Sequence, residues 1–250
     1  MQVVTIIPTF NRPNFLKKSL QSIYKQSLRP RKVIIVNNNK NTDINKKVYN
    51  QFKKDLNLEY LNNFEPIETI RNSIAFDLDC DLISFLDDDD QWHSNYISKS
   101  LQLFKEKKID ALYTSCDLIN INNKKISELN LKSDYEVEEV LVYNPGFLTS
   151  NVIIRTDVFK KLNGFNSKFG SADKDLYIRL KEKNYMVFIN TERLVLRTIH
   201  SDQLSNNYKL ILYDKIKFFY NNFSKFKFKS KILFIKLMMT TFFKLLKNFF

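Results

Sequence analysis

Apolar residues in this chain fall into short runs separated by longer amphipathic stretches. The runs 3–8, 33–36, 58–61 and 82–86 are rich in Val, Ile and Leu and end in polar residues. Runs this short and this apolar predict strands, buried on both faces where they are wholly apolar. Between them, Phe15, Leu16, Leu20, Ile23 and Tyr24 recur at helical spacing behind Pro13, a residue suited to a helix start. Val48 and Phe52 predict a second helix, capped by Thr42 or Asp43. A third, over 67–78, carries Arg71-Asn72. Strands alternating with helices through short links predict an α/β architecture, a doubly wound and mostly parallel sheet flanked by helices.

Beyond residue 90 the pattern is more mixed. It predicts a helix over 95–104, a strand over 109–115, and a hairpin turning at Asn122-Asn123 between 118–121 and 125–129. A strand over 147–155, a short helix over 157–162, a turn at Gly164 and a helix over 173–183 follow. Strands at 186–189 and 194–198 close the regular part.

Chemistry concentrates where the run 82–86 stops. Asp87-Asp88-Asp89-Asp90 follow it directly, then Gln91-Trp92. Four adjacent carboxylates do not all stay ionised cheaply without a cation. The carboxyl end of a buried strand is where open α/β sheets bind ligands. The acids therefore predict a site for Mg²⁺ or Mn²⁺ completed by substrate phosphates. Glycine occurs only at 146, 164 and 170. No Gly-rich phosphate loop exists, which argues against P-loop, dinucleotide-binding and sugar-phosphate nucleotidyltransferase readings.

The formal net charge of +13 is unevenly spread. Residues 208–250 hold ten lysines against Asp214, or +9, leaving +4 for the first 207 residues. The tail, rather than the body, calls for an anionic partner. In 230–250 the longest charge-free stretch is 237–243, far short of the ~20 residues that span a bilayer. Lys236, Thr240, Lys244 and Lys247 share a helical stripe. This predicts a basic amphipathic helix lying on an anionic membrane surface, with a helix packed on the body or at a dimer interface as the alternative. The expected domains are a body over 1–207 and a helical tail over 208–250. Two cysteines, Cys80 and Cys116, make no disulfide framework, and the N-terminus has no secretory signal, so the expected compartment is the cytoplasm.

Five separated segments together resemble the inverting nucleotide-sugar glycosyltransferases of family 2, which have the GT-A fold, a doubly wound sheet that is mixed but mostly parallel. They are 7–12, 34–43, Arg71-Asn72, 85–92 and the stretch from Gly164-Phe165 through Ala172-Asp173 to Arg179-Leu180. The resemblance implies that Pro8, Thr9, Phe10, Asn38, Arg71, Asp87 and Asp88 bind the nucleotide sugar. It further implies that Asp89 ligates the metal, helped by His200, and that Asp173 is the catalytic base. Asp175 is expected to be structural, His93 to pack or cap, and Trp92 to anchor the core or wall the sugar pocket.

Three positions depart from the family pattern: Asn38 and Asn39 stand where acids are usual, and Ala172 replaces the acid before the base. An Asn carbonyl still accepts a nucleobase N–H. The implied function is metal-dependent, inverting transfer from a nucleotide-diphosphate sugar, a UDP-sugar by family habit, to a glycan or glycolipid. Bacterial surface polysaccharide or lipooligosaccharide synthesis at the inner face of the cytoplasmic membrane is the expected setting. The alternatives are an inactive sugar-nucleotide-binding relative and, from the basic aromatic tail, a nucleic-acid-binding module.

Overall fold

The computed structural model describes residues 1–40, 43–166, 171–203 and 206–247. Asn41-Thr42, with the predicted helix cap, Gly170 and the last three residues lie outside the described residues.

The first half alternates as predicted: β1 (Val3–Thr9), α1 (Pro13–Tyr24), β2 (Lys32–Asn37), α2 (Asp43–Phe52), β3 (Leu58–Asn62), α3 (Ile67–Asp77) and β4 (Leu82–Phe85). Pro13 occupies the first turn of α1, where its missing N–H costs nothing. The strands β3, β2, β1 and β4 lie side by side in parallel. Alternation along them supplies two cores. Val3, Ile7, Val33, Ile35 and Leu82 meet α1 and α2 on one face, while Val4, Ile6, Ile34, Val36, Ile83 and Phe85 pack with α3 on the other. Thr5 and Ser84, level with each other in the register, fill their shared face with a buried hydroxyl pair at 2.8 Å.

The second half contains β5 (Gln91–Trp92), α4 (Tyr96–Lys107), β6 (Ala111–Asn120), β7 (Lys125–Leu129), α5 (Val137–Val142), β8 (Val152–Arg155), α6 (Thr156–Lys161), α7 (Ala172–Glu182) and β9 (Val187–Ile199). The sheet order is β3-β2-β1-β4-β8-β6-β9-β5, with β7 on β6. Here the sheet is mixed, because β8 runs antiparallel to both β4 and β6. Three expectations are corrected. The strands at 109–115 and 118–121 are one continuous β6, and those at 186–189 and 194–198 are one β9 whose register against β6 shifts at Thr114 to Cys116. The predicted strand over 147–155 begins with a helical turn, Thr149–Asn151, which Asn151 ties down through bonds to the Thr114 and Gly146 carbonyls. The hairpin turn stands as predicted, with Asn123 at φ 61°.

The tail forms two helices rather than one, α8 (Tyr208–Asn221) and α9 (Phe228–Lys247). Phe218, Phe226 and Phe234 are buried in the same core as α5 and α7. The hydrophobic core thus crosses the boundary at residue 207.

One clamp ties α3 to the segment leading into α7. Asn72 donates to the Phe165 carbonyl and accepts from the Phe165 N–H, both at 2.7 Å. Gly164 lies directly beneath it at φ +66°, and a Cβ there would sit 2.2 Å from Asn72 Oδ1. Gly164→Ala should therefore lose about 2–4 kcal/mol of stability, from left-handed strain and a displaced pair of buried bonds. Chemical denaturation measures this, and a loss below about 1 kcal/mol, less than the left-handed strain alone, would show that the clamp is dispensable.

Candidate active site

The four acids form the turn between β4 and β5, closed by the Asp90 N–H on the Asp87 carbonyl at 3.1 Å. A turn cannot point four side chains the same way, and each acid finds different partners. Asp87 is ion-paired with Arg71 and accepts the Thr149 hydroxyl on both oxygens, at 3.1 and 3.0 Å. Asp88 turns back towards β1, where the Thr9 hydroxyl donates to it at 2.7 Å. Burial, and next the charge of Asp89, push the Asp88 carboxyl up to about 7. Asp89 is held between Arg12 and His200, each at 3.0 Å. Asp90 is buried and accepts the Thr198 N–H at 3.1 Å. Burial, then Asp89 and Asp87, hold its carboxyl well above the usual carboxylate range.

Oxygens of Asp87, Asp89 and Asp90 lie within 4.8 Å of one another. Three hard, negative donors in one place suit a divalent cation of the Mg²⁺ or Mn²⁺ type. Like charges this close repel by about 3 kcal/mol per pair at an effective dielectric of about 20. An ion relieves that repulsion, so the donor set fits the predicted metal.

These acids floor a cavity of about 390 Å³. Every residue the sequence assigned to the nucleotide sugar lines it: Pro8, Thr9, Phe10, Asn38, Arg71, Asp87 and Asp88. Asn38 spends both amide hydrogens on backbone carbonyls of Asn63 and Glu65, at 3.0 and 2.8 Å. Its Oδ1 is left to act as an acceptor, like the acid it replaces. Arg71 is buried, and its Nε has no hydrogen-bond partner among the described residues.

His200 does not line the cavity. Its ring stacks on Phe15 at 4.6 Å, and its Nδ1 accepts the Asp202 N–H at 3.2 Å. That bond places the imidazole proton on Nε2, facing Asp89.

Asp173 is not a cavity-lining residue either. It sits in the first turn of α7, two residues beyond Ser171, which precedes the helix. One of its oxygens accepts the Lys174 N–H at 2.7 Å and the other accepts Asn144 Nδ2 at 3.2 Å. Part of the side chain stays exposed, but the protein packed around it pushes the carboxyl up to about 6, against the pull of Lys174 and Arg197. Arg197 lines the cavity and acts electrostatically on both Asp90 and Asp173, linking the two acidic centres. Ala172 is packed in the core with α5, so an acid there would bring a charge into apolar surroundings. Asp175 is structural as expected, paired with Arg179 at 2.6 Å. Trp92 anchors the core and donates to the Ser150 carbonyl at 2.9 Å.

Sequence reasoning did not single out Arg12, Asp90, Thr149, Asn144 or Arg197. Arg12 stood in a quoted segment, but its partners Asp89 and Asp202 lie far along the chain. Such contacts have no local signature.

Comparison with known proteins agrees with this geometry. The family model described as "Glycosyl transferase family 2" matches residues 4–162. A GalNAc(5)-diNAcBac-PP-undecaprenol beta-1,3-glucosyltransferase of Campylobacter jejuni is 26% identical over 188 residues, 73% of this chain and 60% of that protein. The chain thus spans about three-fifths of that relative's length. Two solved structures share the fold at 16% identity. The mannosyltransferase PcManGT from Pyrobaculum calidifontis, in complex with GDP-Man and Mn²⁺, has a TM-score of 0.67 over 90% of this chain and 65% of its own. S. aureus TarS 1-349 in complex with UDP-GlcNAc has a TM-score of 0.65 over 87% and 66%. The sheet, its flanking helices and the acid turn at the end of β4 are thus those of a GT-A fold, and this chain belongs to glycosyl transferase family 2.

Proposed function

We propose that the protein is a metal-dependent, inverting glycosyltransferase that moves a sugar from a nucleotide-diphosphate donor to a hydroxyl of a glycan or glycolipid. The observation that carries this reading is the Asp87, Asp89 and Asp90 cluster on the floor of a cavity lined by Asn38 and Arg71. When bound there, Mn²⁺ or Mg²⁺ neutralises the departing diphosphate. The Asn38 side-chain carbonyl accepts a ring N–H of the nucleobase, and Arg71, which lines the cavity, contributes positive charge to the nucleotide. Uracil meets the Asn38 requirement, and a UDP-sugar is the donor we favour. His200 orients Asp89. Asp173 takes the proton of the acceptor hydroxyl as its oxygen bonds to the anomeric carbon and the carbon–diphosphate bond breaks on the opposite face. A carboxylate held near 6 is suited to that transfer close to neutral pH.

We further propose that the acceptor is a lipid-linked glycan of a bacterial surface polysaccharide or lipooligosaccharide. The relative named for a PP-undecaprenol substrate supports this, and so does the tail. No helix among the described residues is long and apolar enough to cross a membrane. Yet α9 exposes Phe228, Ile232, Ile235, Met239, Phe242 and Leu246 along one stripe, with Phe228 78% exposed. The exposed Lys229, Lys236 and Lys244 flank it. An apolar stripe edged by lysines is suited to lie in an anionic bilayer surface, on the cytoplasmic side.

These readings are tested on the donor, the base and the tail. A thermal-shift panel of nucleoside diphosphates and their sugars, with and without Mn²⁺, identifies the donor by its stabilisation of the folded state. Asp89→Ala should then lose metal-dependent donor affinity in calorimetry, and an unchanged dissociation constant would sink the metal assignment. Asp173→Asn should bind donor normally but transfer sugar ~10²–10⁴-fold more slowly. An α-linked donor should give a β-linked product; a retained anomer would overturn single displacement. Wild-type turnover should fall as pH drops through about 6, because protonated Asp173 takes no proton. Reversing Lys229, Lys236 and Lys244 to Glu should weaken sedimentation with anionic vesicles about a hundredfold or more, at about 1 kcal/mol per lysine. Vesicle binding that ignores both charge and salt would refute the membrane surface.

A further inference from the structure

Lys174 is the one residue of the first turn of α7 whose burial has no evident structural gain. It is 6% exposed, though an ammonium is among the groups most expensive to take out of water. Among the described residues, one hydrogen-bond acceptor reaches it, the Leu141 carbonyl at 3.2 Å. Two aromatic faces do the rest: its Nζ lies 3.7 Å from the centre of the Phe218 ring and 5.3 Å from that of Phe234. Both rings belong to the C-terminal hairpin, one to α8 and one to α9. Ring faces attract cations, and the attraction grows when water is excluded. The hairpin therefore closes over a charged group that lies next to Asp173 in the chain.

The contacts on the Asp173 side complete the connection. The Lys174 N–H donates to the Asp173 carboxylate, whose other oxygen is held by Asn144. The charges acting on Asp173 are Lys174 itself and, from β9, Arg197; from β6 the Tyr113 hydroxyl group also faces it. Those acting on Lys174 are Asp173 and Asp175 on its own helix and Lys215 on α8. The hairpin is anchored elsewhere as well, by Lys225 on Glu182 and the Lys227 N–H on Glu138. Those bonds are exposed and would hold the helices without any buried lysine. The lysine–ring contact adds something they do not: a positive charge fixed beside the proposed base.

We propose that Lys174 is a positioning residue through which the C-terminal hairpin, by way of Phe218 and Phe234, fixes and charge-compensates the Asp173 carboxylate. The inference rests on the reading of Asp173 as the base. It makes the hairpin a working part of the site as well as a surface for membrane. Burial lowers the Lys174 ammonium to about 7, so loosening the rings or admitting water changes how much positive charge Asp173 meets near neutral pH.

The test uses the full chain, the donor chosen by the thermal-shift panel, and release of nucleoside diphosphate followed against pH. Lys174→Met keeps most of the side chain's length, one atom short, and removes its charge. It should melt at or above the wild-type temperature and bind donor within about twofold, since it touches no part of the cavity. Without the adjacent cation the Asp173 proton is held more tightly, so the acid limb of kcat should move up by about one pH unit. Phe218→Leu should move it the same way by less, and Lys174→Arg should restore it towards wild type. Acid limbs that coincide with wild type in both Lys174→Met and Phe218→Leu would overturn the proposal, as would a loss of donor affinity matching the loss of kcat. If Lys174→Met does not fold, Phe218→Leu decides on the same criterion. Full turnover in Asp173→Asn would instead remove the base reading, and this proposal with it; an inactive Asp173→Asn beside unmoved limbs would strike only Lys174.

Discussion

The rest of the structure is arranged around the repulsion among four consecutive carboxylates. Their backbone is fixed by β4 on one side and β5 on the other, so they cannot separate. Cations and donors are therefore drawn in from distant parts of the chain. Arg12 and Thr9 come from the end of β1 and the loop behind it, Arg71 from α3, Thr149 from the helical turn before β8, and His200 from the end of β9. Arg12 also grips the Asp202 carbonyl at 2.9 Å, joining the first loop of the fold to the segment after its last strand. The strands place these loops at one edge of the sheet, and the acids give them a common focus.

The acid turn and the start of α7 are tied by a second network. Arg71 and Asn72 are adjacent on α3 but point to different tasks. Arg71 turns to the acids, while Asn72 clamps Phe165 over Gly164. Arg179 of α7 then bonds the Gly164 carbonyl at 2.8 Å and that of Leu162 at 2.7 Å, with Asp175 pairing its guanidinium. One short path thus runs from the cavity floored by the acids to the helix that bears Asp173. This accounts for the Arg-Asn pair and the Gly-Phe pair appearing together in a chain with so few glycines: each needs the other's geometry.

How far the sequence could be read follows from how local each signal was. The parallel half was legible because strand length, apolar content and helical spacing are local properties, and β1 to β4 obey them. The acids and the cavity-lining residues were legible through motifs in order. The antiparallel insertion of β8 was not, since pairing between β4, β6 and β8 depends on contacts no window contains. β9 was misread as two strands because Asn190 to Arg193 is polar, whereas the sheet absorbs that stretch through a shifted register with β6. The six-residue helix α5 was missed because it is too short to show a period. Asp90 was overlooked as a member of the acid cluster because only the turn geometry separates it from Asp88, one of whose oxygens is turned back to Thr9.

The tail shows why composition alone gave a divided answer. Its phenylalanines serve two surfaces of the same hairpin. Phe218, Phe226 and Phe234 interlock with one another, Phe219 and the body, with the Phe219 and Phe234 rings stacked at 5.4 Å. Phe228, Phe242 and Phe243 face outward. On α9, positions 234, 237, 238 and 241 define the inner face, and the stripe from Phe228 to Leu246 lies on the other side of the cylinder. The lysines fall between the two faces, where long stems can lie along apolar surface while their charges reach water or headgroups. The alternatives posed by the sequence, a packed helix or a surface helix, are therefore compatible. The inner face makes α9 part of the fold, and the outer face is carried on the same helix.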